Sequence, residues 1–355
     1  MKSQVQKTIS SQKSITLKDI AKKVGITASA TSMALSDSPR ISGKTKERVR
    51  AAAKDLGYVA SSAGRALRLH KSDALVLIVP HSSQHVFGHA YFMKVLTGMS
   101  EVCTRRDTQV IISTSGENSR GIAAYDKVMQ SRSADGAIVT SAAVWDENIR
   151  KLAEGGIPTV LIGNFPHLTD AVSVGINDIS ASELITKHLI DVHGRKALIH
   201  VTGPLDHQAG IDRQTGFLNA CDKSALSKVC KIIEGDFSEE SGAKAVQHLL
   251  ETGFAFDGIV FANDEMAFGG LSELRARGVE IPGAVSIVGF DDFGMSRITS
   301  PSITTINVPA EEMAAIATER LFEIINGISP EPSHQEIPVS LVIRESCGCT
   351  QEVRR

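Results

Sequence analysis

The residues best suited to chemistry in this chain sit directly after short apolar runs. Ser82 follows ALVLIVP, Asn164 follows TVLIG, and Asp206 and Arg213 follow ALIHVTG. Phe237 follows KIIEG, Asn263 and Asp264 end GIVFAND, and Asp291 and Asp292 end SIVGFDD. Ser, Asn, Asp and Arg supply paired donors and acceptors, and an aromatic ring can cover the apolar face of a sugar. This set suits reversible binding of a polyhydroxylated small molecule. Asp264 and Asp292 are assigned the plainer task of capping the helices that follow their strands. Catalysis is not indicated. Nucleophile-elbow, zinc-protease, phosphate-loop and dinucleotide fingerprints are all missing, so neither an enzyme nor a cofactor is expected.

Two further groups could bind metal, and neither is read that way. His81, His85 and His89 recur every four residues, but Pro80 and Gly88 make the segment a strand's exit loop that lines a pocket. Cys347 and Cys349 form CGC near the end, without a second ligand pair in sequence, and are expected in an exposed tail. Five cysteines, an odd number, give no disulfide framework. Trp145, the one tryptophan, is expected to pack at a helix start.

The elements that must position these side chains are legible from residue 74 onward. Eight apolar, β-branched runs alternate with helical stretches, the pattern of βαβ units with buried parallel strands. Eight strands exceed one comfortable sheet, and they divide near residues 164–178. The body is therefore read as α/β, with two doubly wound lobes of parallel sheet. Ligands in such sheets bind outside the carboxyl ends of the strands, where the polar residues lie.

The first 72 residues differ in kind. They carry 15 Lys and Arg against 4 Asp and Glu, a net of +11, while the rest of the chain carries 23 against 36, a net of −13. A basic head on an acidic body points to a polyanionic partner. The head also has helical patterning, which a merely solvated tail would lack. Thr16 and Asp19 open a helix with Leu17, Ile20, Ala21 and Val24 at helical spacing, and Gly25 stops it. Thr27 caps a second helix through Ser36, with Ala30, Ala34 and Leu35 available for packing. A third, starting at Ser42, buries Val49, Ala52, Ala53 and Leu56 and ends at Gly57. Three such helices make an all-α helix-turn-helix unit, whose second helix enters the major groove.

The segments TLKDIAKKVGITASATSMALS, RISGKTKERVRAAAKDLGYVA and SSAGRALR, followed by the body just described, resemble the lactose-repressor (LacI/GalR-type) family. The resemblance extends to about residue 345. It implies a periplasmic-binding-protein-like core crossed three times by the chain, the last crossings near 304–309 and 327–338. The implied organisation is a tail at 1–13, a DNA-binding domain at 14–59, a hinge helix at 60–72, a core at 73–346 and a tail at 347–355. Within the core, one lobe takes 73–176 and 308–328, the other 177–307 and 329–346. On the DNA side the resemblance implies that Ala28 and Ser29 read bases, while Thr27, Ser32 and Thr45 meet phosphates, and Thr16 is counted among the DNA-binding residues. Met33 stands where many members carry arginine. Leu67 would be the wedge of a hinge that orders on DNA. On the effector side it implies Arg213, Phe237, Asn263 and Asp291, to which Ser82 and Asn164 are added.

The expected protein is a ligand-responsive repressor, a homodimer on palindromic operator DNA, cytoplasmic and nucleoid-associated, with no membrane segment. Its effector is a sugar, sugar acid or sugar phosphate. The competing readings are a sugar-binding receptor and a sugar-acting α/β protein without regulatory DNA binding. The first would need a signal peptide and no basic head.

Overall fold

The computed structural model describes residues 15–58, 71–116, 121–131 and 133–349. The chain divides into two units, Met1–Ser72 and Asp73–Arg355. Within the first unit, α1 (Leu17–Val24), α2 (Ala28–Leu35) and α3 (Gly43–Leu56) close on a small apolar centre. Ile20, Val24, Ala34, Val49, Ala52 and Ala53 are its buried members. The Asp19 carboxylate accepts from the Thr16 backbone N–H at 2.8 Å and from its hydroxyl at 2.7 Å, so the start of α1 is fastened as the sequence indicates. Gly25 ends the helix at φ 75°, a left-handed conformation that costs glycine little. Thr27 Oγ1 then accepts from the Ala30 N–H at 3.1 Å and starts α2. Inside α2 the buried residues are Thr31 and Ala34, with Ala30 and Leu35 only half-buried. Thr31 tolerates that position because its hydroxyl donates to the Thr27 carbonyl at 3.0 Å.

The second unit holds two parallel sheets. The first lobe has six strands in the order β11-β5-β4-β3-β1-β2. They are β1 (Ala74–Ser82), β2 (Gln109–Ser115), β3 (Gly136–Thr140), β4 (Thr159–Ile162), β5 (Val172–Gly175) and β11 (His334–Glu336). Its helices are α4 (Ser83–Gly88), α5 (Ala90–Arg105), α6 (Ile122–Ser131) and α7 (Asn148–Glu154), joined late in the chain by α12 (Ala310–Ile325). The second lobe orders β7 (Lys231–Glu234), β6 (Leu198–Thr202), β8 (Gly258–Phe261) and β9 (Ser286–Val288) between α8 (Asp178–Lys187), α9 (Gln208–Lys223), α10 (Glu239–Thr252) and α11 (Asp264–Ala276). β10 (Thr305–Asn307) and β12 (Ser340–Val342) form a separate antiparallel pair. No helix among the described residues is long and apolar enough to cross a membrane.

All eight expected strands are present, and the near-complete burial of β1, β3, β4, β6, β8 and β9 explains why they read as unbroken apolar runs, while β2 and β7, at sheet edges, are only partly buried. Three expectations need correction. His334–Glu336 pairs in parallel with β5, so it belongs to the first lobe's sheet and not to the second lobe, as 329–346 was expected to. The segment after β1 is a short helix and not a loop, because the Ser82 hydroxyl accepts from the His85 N–H at 3.2 Å and caps it. Trp145 does lie just before α7, but it is 80% exposed and does not pack there.

Candidate functional site

A cavity opens between the carboxyl ends of the two parallel sheets. Its walls include Thr140, Asn164, Asp178, Arg213, Phe237 and Asp291, drawn from both lobes. Arg213, on the first turns of α9, is nearly buried. Its Nε donates to Asp178 Oδ1 at 2.8 Å, and a terminal nitrogen donates to the Ala262 carbonyl at 2.6 Å and to Asp291 Oδ1 at 3.5 Å. The guanidinium lies 3.8 Å from the centre of the Phe290 ring, with Phe237 further off at 5.9 Å. One cation thus faces two buried carboxyls. Burial pushes the Asp178 carboxyl above its ordinary range, with Arg213 pulling it back, and pushes Asp291 well above it against the same cation. The physical cause is loss of water around a charge that one guanidinium must compensate twice.

The backbone here is strained in places that present side chains to the cavity. Phe237 has φ 67° and Asp291 φ 115°, both in the left-handed region that non-glycine residues avoid. Asn263 Nδ2 donates to the Phe237 carbonyl and to Glu265 Oε2, each at 2.8 Å, and its Oδ1 accepts from the Met266 N–H at 3.0 Å. Asn263 is therefore both cavity wall and the cap of α11. That displaces Asp264 from the capping role the sequence reading assigned. Asp264 is instead a buried hub: it accepts from Thr305 Oγ1 at 2.7 Å, from the Asp292 N–H at 2.9 Å and from Ser296 Oγ. Burial pushes its carboxyl up to about 7 against the three hydrogen bonds. Asp292 accepts from Arg344 at 2.6 Å, an ion pair in place of a cap.

Asn164 also lines the cavity, donating to the Ile176 carbonyl at 2.9 Å and to Asp212 Oδ2 at 3.4 Å. Five of the six sequence-nominated residues therefore meet in one place. Ser82 does not: it is absent from the cavity wall, and its hydroxyl is taken by the cap of α4. Several wall residues were not foreseen. Tyr91 shares a 2.9 Å hydrogen bond with Thr140 Oγ1, and Gln208 donates to Asp212 Oδ1 at 2.7 Å. Burial pushes the Tyr91 phenol up to about 12. Their signal was weak because they sit on helices rather than after strands.

At the cavity's edge the histidines stack. His81 and His85 rings are 4.6 Å apart, His85 and His89 4.2 Å, and His81 and His207 5.2 Å. Burial, then the neighbouring rings, lower the pKa of His85 to about 4. His207 Nε2 lies 3.2 Å from His81 Nε2, and the Val144 N–H donates to the Asp206 carbonyl at 2.8 Å. These contacts, with Asn164–Asp212, join the lobes across the cleft.

In the first unit, Thr16, Thr27 and Ser29 are exposed, and Ala28, Ser32, Met33 and Thr45 are half-buried. Leu67 and residues 60–70 of the expected hinge lie outside the described residues, as do 1–14 and 350–355. The expected exposed tail at 347 is corrected: Cys347 is fully buried and Cys349 half-buried.

A compact basic helix-turn-helix unit, and a two-lobed body with a polar cleft at its strand ends, define a ligand-responsive DNA-binding regulator. Residues 16–61 match the model of bacterial regulatory proteins of the lacI family, and residues 186–347 match a periplasmic binding protein-like domain. The chain is 29% identical over 336 residues to the HTH-type transcriptional regulator CelR of Thermobifida fusca, covering 93% of this chain and 98% of that protein. It is 27% identical to the HTH-type transcriptional repressor PurR of Pasteurella multocida, with 93% and 98% covered. Among solved structures, a CelR–cellobiose complex is 26% identical with a TM-score of 0.71, over 94% of this chain and 99% of that one. A lac repressor dimer bound to operator and an anti-inducer shares the fold at 22% identity and a TM-score of 0.82, over 94% and 99%. Residues 16–61 are thus a lacI-family DNA-binding domain, and nearly the whole chain is similar to regulators that carry one.

Proposed function

We propose that this regulator is a homodimeric repressor of a palindromic operator, acting by binding rather than catalysis, and that a polyhydroxylated small molecule in the interlobe cavity sets its DNA affinity. The observation that carries the reading is the cavity's polar lining from both lobes. A ligand held there touches Arg213 and Asp291 on one side and Asn164 and Thr140 on the other, so it binds a closed arrangement of the lobes better than an open one. It shifts the equilibrium only by that difference in affinity. Sugar hydroxyls suit the site because Arg213, Asn263 and the buried carboxyls together offer donors and acceptors, with Phe237 as the apolar face. The cellobiose complex of a similar regulator supports a carbohydrate.

In the head, Ser29 and Ala28 at the first turn of α2 read base edges. Ala28 reaches at most a thymine methyl, leaving the hydrogen bonding to Ser29. Thr16, Thr27, Ser32 and Thr45 meet phosphates, Met33 flanks them, and Leu67 wedges the minor groove. The lysines and arginines of the head supply salt-dependent attraction that carries no base choice.

Two measurements test the reading. Thermal shift across neutral sugars, sugar acids and sugar phosphates should find one class that stabilises the protein. At 100 times its Kd that ligand adds about 2.7 kcal/mol. The ligand found must also change mobility-shift affinity for an operator selected from random DNA. A ligand that stabilises the body without moving operator affinity refutes the coupling. In the same selection Ser29→Ala should alter the preferred half-site while leaving the salt slope intact.

A further inference from the structure

Away from the cavity, four metal-ligating atoms converge where the chain's last described residues meet the end of α8. His188 Nε2 lies 3.4 Å from Cys347 Sγ and 3.7 Å from Cys349 Sγ. His193 Nε2 lies 3.3 Å from His188 Nε2 and 3.3 Å from Cys349 Sγ. All four ligand atoms fall within 4.8 Å of one another. With Zn–N of about 2.05 Å and Zn–S of about 2.3 Å, a tetrahedral site has N–N edges of about 3.3 Å and N–S edges of about 3.5 Å. The four edges above lie within about 0.3 Å of those values.

Local structure explains how the ligands come together. Residues five apart diverge on an α-helix, but His188–Val192 is a π-helical turn that continues α8. That wider turn brings His193 round beside His188, and such turns concentrate at functional sites. On the other side Gly348 takes φ 112°, and a Cβ there would stand 3.1 Å from His193 Nδ1. Only glycine lets the Cys-X-Cys loop close so tightly on the ring. Cys347 is fixed independently: its carbonyl accepts from Ser286 Oγ at 2.8 Å, and the Thr304 hydroxyl lies 3.1 Å from its sulfur.

Hydrogen bonding alone satisfies this group poorly. Thiols are weak donors, and two Nε2 atoms facing each other can share only one proton. Cys347 Sγ does have an alternative acceptor, the Arg344 carbonyl at 3.3 Å, which suits the protonated thiol.

We propose that His188, His193, Cys347 and Cys349 bind one Zn²⁺, which fastens the C-terminal segment to the second lobe. Two imidazole nitrogens and two thiolates fill all four positions, so the site is structural and leaves none for substrate. Binding replaces the two S–H protons, which pass to solvent. The Thr304 hydroxyl is then placed to donate to the Cys347 thiolate, a supporting contact of the kind that orients metal ligands. The segment being fastened runs straight on from β12, which pairs with β10 at a connection between the lobes.

The test uses the full-length, untagged, reduced protein. About one zinc per chain is expected by mass spectrometry of the metal content. After stripping with chelator, added Co²⁺ should give thiolate charge-transfer absorption and the visible bands of tetrahedral cobalt. Cys349→Ser and His193→Asn, both at half-buried positions, should each weaken Co²⁺ binding at least tenfold. A measurement on the wild type needs no variant to fold: chelation should speed alkylation of Cys349 at least tenfold. Absence of thiolate–cobalt bands, octahedral cobalt spectra, bands undiminished in both variants, or alkylation indifferent to chelator would each overturn the assignment.

Discussion

The second lobe contains two polar islands that solve the same problem differently. At the cleft, Arg213, Asp178 and Asp291 are ionisable, buried and already partnered with one another. At the chain's end, His188, His193, Cys347 and Cys349 bring lone pairs together without any cation of their own. The first island is satisfied from within, and on the proposed function it exchanges its partners for a ligand's. The second acquires its partner from outside. The stacked histidines at the cleft make the contrast sharper. They are as numerous, but His81 and His85 lie ring over ring, His85 and His89 are tilted, and only His81 and His207 bring a pair of nitrogens together. Convergence of lone pairs, and not histidine count, distinguishes a metal site.

The comparison can be broken most forcefully at Asp178. Asp178→Ala leaves Arg213 buried with its more distant carboxyl only, and should cost about 3 kcal/mol of stability in urea unfolding, with or without metal. Cys349→Ser should cost stability only when zinc is present, and match the wild type in chelator. Equal losses in both conditions would erase the distinction between the islands. Next in size is Arg213→Lys. A lysine cannot reproduce the planar fork. Calorimetry should show effector binding weakened about tenfold, or ~1.4 kcal/mol, with operator binding in the absence of effector retained. Tyr91→Phe removes one neutral hydrogen bond to Thr140 and should cost about 1 kcal/mol. The smallest effect lies at His85. Its folded-state pKa is about 4, below the usual 6.5, so the unfolded chain binds its proton first as pH falls. Wild-type stability relative to His85→Gln should therefore drop between about pH 6.5 and 4. Nuclear magnetic resonance should place the ring's midpoint near 4, and a midpoint at the ordinary value would show the stack to be open to water.

Much of this was legible in the sequence, and the reasons are local. Long buried strands such as β1 and β3 announce themselves as β-branched runs. β5, β10, β11 and β12 are no shorter than β4 and β9 but lack an unbroken apolar run, and β11 reads HQE, so the lobe boundary at 329–346 was misplaced. Asn263 and Asp291 were nominated because they follow strands, where doubly wound sheets put their ligands, whereas Arg213, helical like Gln208, was nominated through the family resemblance. Tyr91 and Gln208 were missed because helical wall residues look like any amphipathic pattern. Ser82 was over-read, since a serine after a strand is as often a cap. The Cys/His group was invisible for a different reason. Its halves are 159 residues apart, and His188 and His193 meet only through a π-turn that no helical spacing foretells.

Trp145, left standing in water, makes the protein its own optical probe. It is the sole indole in the chain and 80% exposed. Its ring centre lies 5.4 Å from that of His167, and its neighbour Val144 donates across the cleft to Asp206. Red-edge excitation therefore reads a single fluorophore placed at the seam between the lobes, with emission close to that of indole in water. A rearrangement of that seam should change the access of iodide to the ring, while His167, in the same lobe, stays beside it. The opening and closing of the unlabelled regulator can thus be followed in real time, with no dye attached and no second tryptophan to subtract.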